Sequence, residues 1–211
     1  MKNAWRLLGI GAVLPLLFVS CASVAASTYD GSFPRVVNVC VLNDKEEPVS
    51  EKIIRHITGN VFREYEERIA VRFVAEAFVA AEVNLDVWPP SELGLEAKSA
   101  CPANTETRMI FSNRRMLFIG EDGKEGELAG LSHDYYGFLV IFNVGGRAFL
   151  EDKGGNPALE TSLKHEIGHI FGLEHTKDIN SFLYKAGNKS QGRWTEEILE
   201  KLIENRNKKW H

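Results

Sequence analysis

The chain of 211 residues contains 44% hydrophobic residues, 26% charged residues and 18 glycines, a composition typical of a globular protein with a packed core. It disfavours disordered, collagen-like and coiled-coil chains. The net charge of −4 supplies no basic surface for phosphate groups, so nucleic acid is not an expected partner.

The N-terminus carries the pattern of an export signal. Lys2 and Arg6 precede an apolar run from Leu7 to Val19, and small residues follow that run. The run is too short to be a comfortable membrane span. Removal of residues 1–26 would leave residues 27–211, a length that suits one domain.

Two cleavage sites compete within this signal. Residues 18–21, FVSC, resemble a bacterial lipobox that would leave Cys21 as a lipidated first residue, whereas residues 24–26, VAA, suit ordinary signal peptidase. We favour the lipobox because the cysteine follows a small residue directly after the apolar run. We therefore expect an exported protein that is anchored by lipid to a bacterial envelope, or else is periplasmic or secreted. That anchor is the only membrane contact we expect.

Two further cysteines, Cys40 and Cys101, remain as an even pair. In an oxidising compartment they could form a disulfide. Cys40 lies inside an apolar run and could equally be a buried thiol. Spacing in the sequence does not decide between these alternatives.

The first half of the chain predicts a strand, a long helix and a second strand, at residues 35–42, 51–65 and 71–79. The small and polar residues 91–107 predict a loop. Residues 108–111 and 116–119 are short strand candidates that could form a hairpin through residues 112–113. The acidic stretch 121–127, EDGKEGE, lacks the ligand spacing of a calcium loop and is better interpreted as a solvated turn, so a structural calcium ion is unsupported.

The second half predicts a buried strand and two helices. Residues 137–144 form a continuous apolar run, typical of a strand covered on both faces. Asn156 and Pro157 can start a helix whose apolar residues recur every fourth position up to Phe171. Thr195 can cap a last helix. This order of strands and helices indicates an α+β domain.

The stretch from His165 to His175, HEIGHIFGLEH, holds three of the six histidines of the chain. Residues four apart on a helix differ by about 400° of rotation, so His165 and His169 lie on one side, one turn apart. They can share one zinc ion. The apolar stripe of this helix points about 160–200° away, which leaves one face for the core and the other for a cleft.

His175 can join this pair only if the chain leaves the helix after His169. On a continuous helix His175 would stand about 15 Å beyond His165, because each residue rises about 1.5 Å. Zinc needs its nitrogen ligands at about 2.0–2.1 Å. Gly172 lies where the chain must turn and tolerates a positive φ. Glu166, about 60–100° around the helix from either histidine, can reach a water-filled position beside the metal without binding the metal itself.

This stretch resembles the signature H-E-x-x-H-x-x-G-x-x-H of the metzincin clan of zinc metallopeptidases, without a substitution. The resemblance implies that His165, His169 and His175 bind one catalytic zinc ion and that Glu166 is the general base. It also implies a metzincin-like α+β catalytic domain, with a twisted mixed sheet, a long helix, an active-site helix and a C-terminal helix.

The residues after the third histidine extend the resemblance. Residues 175–184, HTKDINSFLY, look like the matrixin pattern H-S-x-D-P-x-S-x-M-Y, and their spacing is similar to that of the archaemetzincins. Leu183 replaces the methionine of the turn beneath the zinc, at similar volume. The second-zinc cysteines of archaemetzincins would fall on Thr176 and Ser181, so no second zinc is expected. Tyr184 is a candidate oxyanion donor, although a tyrosine in this turn can equally be structural.

The resemblance implies an endopeptidase that hydrolyses bonds of a peptide or protein substrate. Zinc would lower the pKa of its bound water towards about 7, and Glu166 would accept the proton of that water. The strand at residues 137–144 is expected to be the sheet edge on which the substrate lies as an added strand. The alternative is an exported binding protein that holds zinc but is catalytically silent. We expect the chain to be a monomer.

Overall fold

The computed structural model describes residues 34–85, 90–119, 123–142, 157–185 and 192–210. The predicted export signal with Cys21 lies outside these residues, and so does the predicted helix cap at Asn156. Among the described residues, no helix combines the length and the apolar character needed to cross a membrane.

The chain folds into a mixed sheet with helices against it. In chain order the elements are β1 (Arg35–Asp44), α1 (Glu51–Ile69), β2 (Val71–Ala81), α2 (Pro90–Ala100), β3 (Thr107–Ser112), β4 (Met116–Ile119), β5 (Glu125–Leu128), β6 (Gly130–His133), β7 (Phe138–Phe142), α3 (Pro157–Ile170) and α4 (Glu196–Asn205). The five-stranded sheet has the order β2-β1-β3-β7-β6. Its first four strands are mutually parallel, and β6 pairs antiparallel with β7. This arrangement confirms the predicted α+β class with a mixed sheet, a long helix, and helices at the motif and near the C-terminus.

The predicted sheet edge was wrong. Residues 138–142 of the apolar run form β7, which is hydrogen-bonded to β3 on one side and to β6 on the other. All five residues of β7 are buried, because an all-apolar strand gains most when both faces and both edges are covered. The outer position belongs to β6, a strand of four residues that ends in a serine and a histidine. Short polar strands are typical of sheet edges.

Three further expectations on local structure were also wrong. Strands β3 and β4 do not form a hairpin, because β3 pairs with β1 and β7 while β4 pairs antiparallel with β5. Strand β5 uses the end of the acidic stretch that was expected to be a turn. Residues 91–107 were predicted to form a loop, but helix α2, which starts at Pro90, occupies the first part of this segment. Good helix formers such as Leu, Glu, Ala and Lys allow this helix despite its weak apolar periodicity.

The core lies on both faces of the sheet. One cluster of buried side chains joins β1, β3 and β7 to α1, α3 and α4, and a second joins the other face of the same strands to α2. Alternate residues of β1 supply the two clusters, since successive side chains of a strand point to opposite faces: Val39 and Val41 enter the first cluster, Cys40 and Leu42 the second.

Cys40 and Cys101 form a disulfide, with 5.9 Å between their Cα atoms. The bond ties the inner strand β1 to the chain just after α2, on the sheet face opposite to α3. The structure thus decides between the two alternatives that the sequence left open. These two cysteines therefore do not cross-link the sheet face that carries α3.

Candidate metal centre

Helix α3 presents two of the three motif histidines on one side and its apolar stripe on the other. Leu159, Leu163 and Ile167 are buried in the core, as their fourfold spacing predicted. His165 and His169 lie one turn apart, with 3.0 Å between their Nε2 atoms.

The chain leaves the helix at Gly172, which adopts φ +83°. The amide of Gly172 donates to the carbonyl of His169 at 2.7 Å, and the amide of Leu173 donates to the carbonyl of Gly168 at 3.2 Å. These two bonds close the helix in a tight left-handed turn. The turn brings His175 back beside the helical pair, as the spacing of the motif predicted.

The three Nε2 atoms converge on one point. Their separations are 3.0 Å for His165 and His169, 3.1 Å for His165 and His175, and 3.3 Å for His169 and His175. A tetrahedral zinc ion at about 2.0–2.1 Å from each nitrogen places its ligands about 3.3–3.4 Å apart. The three histidines therefore fit zinc closely. Within the described part of the chain, they form the one cluster of His, Cys, Asp and Glu side chains suited to a metal ion.

Hydrogen bonds fix the rings of the helical pair. His165 Nδ1 lies 2.8 Å from the carbonyl of Phe182, and His169 Nδ1 lies 2.6 Å from the carbonyl of Leu173. A carbonyl only accepts, so each Nδ1 carries the hydrogen and each neutral ring turns the lone pair of Nε2 towards the centre. Lone pairs that face one another at this distance repel each other unless a cation lies between them. The two carbonyls were not predicted from the sequence, because backbone groups leave no residue-type signal.

Burial keeps these imidazoles neutral. Burial, together with the neighbouring His169, lowers the pKa of His165 to about 4. Burial also lowers the pKa of His169 and His175 below the ordinary value. Neutral imidazole is the form that binds a metal ion.

Leu183 and Tyr184 lie in the turn beneath the histidines. Leu183 is fully buried, and its side chain lies against Gly168, where an added Cβ would come within 3.0 Å of the leucine Cδ2. Its carbonyl accepts from the amide of Thr176 at 2.9 Å, which joins the turn to the residue after His175. The backbone amide of Tyr184 donates to the carbonyl of Ser181 at 3.1 Å. Leu183 thus gives this turn a buried apolar side chain that packs against α3.

Glu166 lies between α3 and the edge strand, and only 6% of its surface is exposed. The hydroxyl of Ser132 on β6 donates to Glu166 Oε2 at 2.7 Å. Burial raises the pKa of Glu166 to about 7, and the hydrogen bond from Ser132 opposes this rise. Two residues earlier on the same face of β6, a Cβ on Gly130 would come within 2.6 Å of Glu166 Oε1.

Ser132 and Gly130 are site residues that the sequence did not reveal. The two residues are two positions apart on one strand, and this spacing predicts that they share a face of the sheet. Which helix that face meets depends on the packing of β6 against α3, which pairs residues more than thirty positions apart. No local pattern reports such a contact.

No protein-family profile matches the sequence, and no curated protein matches it at a significant level. Solved structures do match the fold. An archaemetzincin from Methanopyrus kandleri is 13% identical, with a TM-score of 0.58 over 82% of this chain and 96% of that one. A zinc-dependent peptidase from Methanocorpusculum labreanum is 12% identical, with a TM-score of 0.51 over 78% of this chain and 99% of that one.

Metalloproteinase-II from Bacteroides fragilis gives a TM-score of 0.56 at 12% identity, over 82% of this chain and 53% of that one. At such low identity the likeness concerns the fold alone. The chain therefore has a metzincin-like fold, similar to that of an archaemetzincin and of other zinc-dependent peptidases. This confirms the fold that the motif of α3 implied.

Proposed function

We propose that this protein is a zinc-dependent endopeptidase with His165, His169 and His175 as the metal ligands and Glu166 as the general base. The observation that carries the proposal is the convergence of three Nε2 lone pairs, with the Glu166 carboxylate on the neighbouring residue. The metzincin-like fold supports it. All three ligands come from side chains, and a fourth coordination position is left for water or substrate, as in catalytic rather than structural zinc sites.

A zinc ion at this site would supply Lewis-acid activation of a water molecule and of the scissile carbonyl group. Glu166 would accept a proton from the attacking water and deliver it to the nitrogen of the departing amine. Ser132 would hold one carboxylate oxygen through its hydroxyl and so leave the other free for the water. A general base works best when its pKa lies near the working pH, and burial moves the Glu166 carboxyl in that direction.

The substrate in this proposal is an extended peptide or protein segment. Strand β6 lies at the edge of the sheet and carries Ser132, which touches Glu166. A peptide added as a further strand along β6 would lie beside the strand that contacts Glu166. We place the substrate on β6 rather than on β7, because both edges of β7 are already paired.

We also propose that the protein acts outside the cytoplasm as a monomer, held by a lipid on Cys21. The Cys40–Cys101 disulfide supports an oxidising compartment. Mass spectrometry of the mature N-terminus tests the anchor. A start at Ser27 without acylation would contradict the lipid anchor and leave a periplasmic or secreted enzyme.

The decisive experiment pairs zinc content with peptide cleavage in the same preparations of the unmutated protein and two variants. Glu166→Gln keeps the shape of the side chain but cannot accept a proton. We expect it to retain one zinc ion and to cleave a peptide library at least 100-fold more slowly, since general acid–base catalysis contributes about 10²- to 10⁴-fold. His169→Ala should lose both zinc and cleavage.

The outcomes separate the candidate functions. Equal cleavage by the glutamine variant would remove Glu166 from the mechanism. Zinc content that is unchanged in His169→Ala would refute the ligand set. If the unmutated protein holds zinc but cleaves no peptide of a broad library, the protein is the catalytically silent binding protein considered above.

A further inference from the structure

The end of helix α3 is capped by side chains from far along the chain. The last carbonyls of a helix have no intrahelical partner and need one from elsewhere. The indole N–H of Trp210 donates to the carbonyl of Ile170 at 2.8 Å, and the side-chain amide of Asn205 donates to the carbonyl of Phe171 at 3.0 Å. These two carbonyls immediately precede Gly172, where the chain turns towards His175.

The same C-terminal segment, residues 205–210, also contacts the turn after the edge strand. Lys208 Nζ lies 2.8 Å from a carboxylate oxygen of Asp134. The Trp210 ring lies so close to Gly137 that an added Cβ there would come within 2.5 Å of it, and Gly137 has φ +60°. The C-terminal segment therefore joins the end of α3 to the turn between β6 and β7.

The indole is held in place from its other side as well. The guanidinium of Arg35, at the start of β1, lies 4.6 Å from the centre of the Trp210 ring, and it donates to the carbonyl of Arg206 at 2.6 Å. Cation–π contact and a charge-assisted hydrogen bond both favour this placement. The cap on α3 is thus a fixed part of the fold.

Of the three histidines, His175 has the least support from neighbouring groups. Backbone carbonyls orient the rings of His165 and His169, whereas within the described residues no carbonyl orients the ring of His175. His175 is also exposed, and follows the turn by only three residues. Its position is set by the backbone on either side of it: by Gly172 before it and by the bond of Thr176 to Leu183 after it.

We propose that Asn205 and Trp210 are positioning residues for the third metal ligand. By capping α3 they fix the turn at Gly172, and this turn places His175 against His165 and His169. The inference rests on the zinc site of the proposed function and assigns to the C-terminal segment a role in the affinity of that site. Groups that orient metal ligands typically change metal affinity by about 10- to 100-fold when they are removed.

The test measures zinc affinity by competition with a chelator in the full-length mature protein. Trp210→Phe keeps an aromatic ring but removes the N–H donor, and Asn205→Ala removes the other donor. Lys209→Ala is the matched control, because Lys209 is exposed between Lys208 and Trp210. We expect each of the first two variants to bind zinc about 10-fold more weakly, their combination to bind more weakly still, and the control to bind normally.

Two readouts separate positioning from general stability. Visible absorption of the cobalt-substituted protein should change in Trp210→Phe, because a displaced His175 alters the coordination geometry. Excess zinc should restore cleavage to Trp210→Phe, because the catalytic residues are intact. Unchanged zinc affinity and an unchanged cobalt spectrum in folded Trp210→Phe and Asn205→Ala would overturn the proposal, even if both variants unfold more easily. Failure of the unmutated protein to bind zinc would instead overturn the proposed function.

Discussion

At the scale of single residues, the position of the Glu166 carboxylate, the proposed base, is set by two small residues of a neighbouring strand. Glu166 is buried against β6, where Ser132 donates to one oxygen and Gly130 leaves room for the other. A carboxylate in this setting has few rotamers open to it. Such fixed geometry is what efficient proton transfer requires.

Ser132→Ala should lower kcat by about 10-fold, with KM and zinc content unchanged, because a hydrogen bond to a charged group contributes about 1.5 kcal/mol or more. Ser132→Thr keeps the hydroxyl and should recover most of the loss. Steady-state kinetics with zinc analysis on the same samples provide the measurement. Equal kcat in the alanine variant and the unmutated protein would show that Ser132 does not position the base.

Gly130→Ala should displace the Glu166 carboxylate and lower cleavage by at least 10-fold in a protein that remains folded, since its Cβ would lie only 2.6 Å from Glu166 Oε1. Gly59→Ala on α1 is the matched control, because no atom outside the adjoining backbone of α1 lies within 4 Å of the added Cβ. That control should cleave normally and gain about 0.5–1 kcal/mol in free energy of unfolding. Normal cleavage by Gly130→Ala would contradict the steric argument.

At the scale of elements, the sheet separates the three histidines on one face from the disulfide on the other. The face towards α1, α3 and α4 carries the histidines on a helix that is backed by the larger core cluster. The opposite face carries α2 and the Cys40–Cys101 disulfide. A change on the disulfide face should therefore alter stability without altering the geometry of the site.

Replacing both Cys40 and Cys101 by serine should lower the free energy of unfolding by roughly 4 kcal/mol. The disulfide closes a loop with a sequence separation of 61 residues, and this figure follows from the chain entropy that such a loop removes from the unfolded state. Urea denaturation measures the loss, and zinc content should stay at one ion per chain. Reduction of the unmutated protein should have a similar effect. Equal stability of the oxidised and reduced proteins would contradict this account.

At the scale of the whole molecule, the proposed metal centre is supported by parts of the chain that are distant in sequence. His165 and His169 belong to α3, His175 follows the turn, and the C-terminal segment caps the helix end. A ligand that binds the folded chain and not the unfolded one stabilises the fold by mass action. Zinc should thus stabilise the entire domain rather than the site alone.

Removal of zinc by a chelator should lower the thermal unfolding midpoint of the protein. At a free zinc concentration 1,000 times the Kd, the lost free energy is about 4 kcal/mol. Glu166→Gln should show the same shift as the unmutated protein, whereas His169→Ala should show little or none. Differential scanning calorimetry with and without zinc provides the comparison. A midpoint that does not respond to zinc would contradict the assignment of the three histidines.

The sequence by itself determined how the three motif histidines are arranged, because that information is local. The motif from His165 to His175 fixes the helical spacing of two ligands, the turn at Gly172 and the return of the third histidine. The apolar stripe of α3 likewise follows from helical periodicity alone. The continuous apolar run of β7 predicted a buried strand, and the strand is buried.

Tertiary structure alone decided which strand is the edge and what surrounds Glu166. Residues 137–144 gave no sign that β6 would lie outside them, because strand order depends on pairing between distant segments. The contact of Ser132 with Glu166, the disulfide of Cys40, and the cap that Trp210 places on α3 are likewise long-range. Each of these contacts depends on where the packed core places the backbone. Many contacts across the whole domain determine that placement, and no short sequence pattern encodes it.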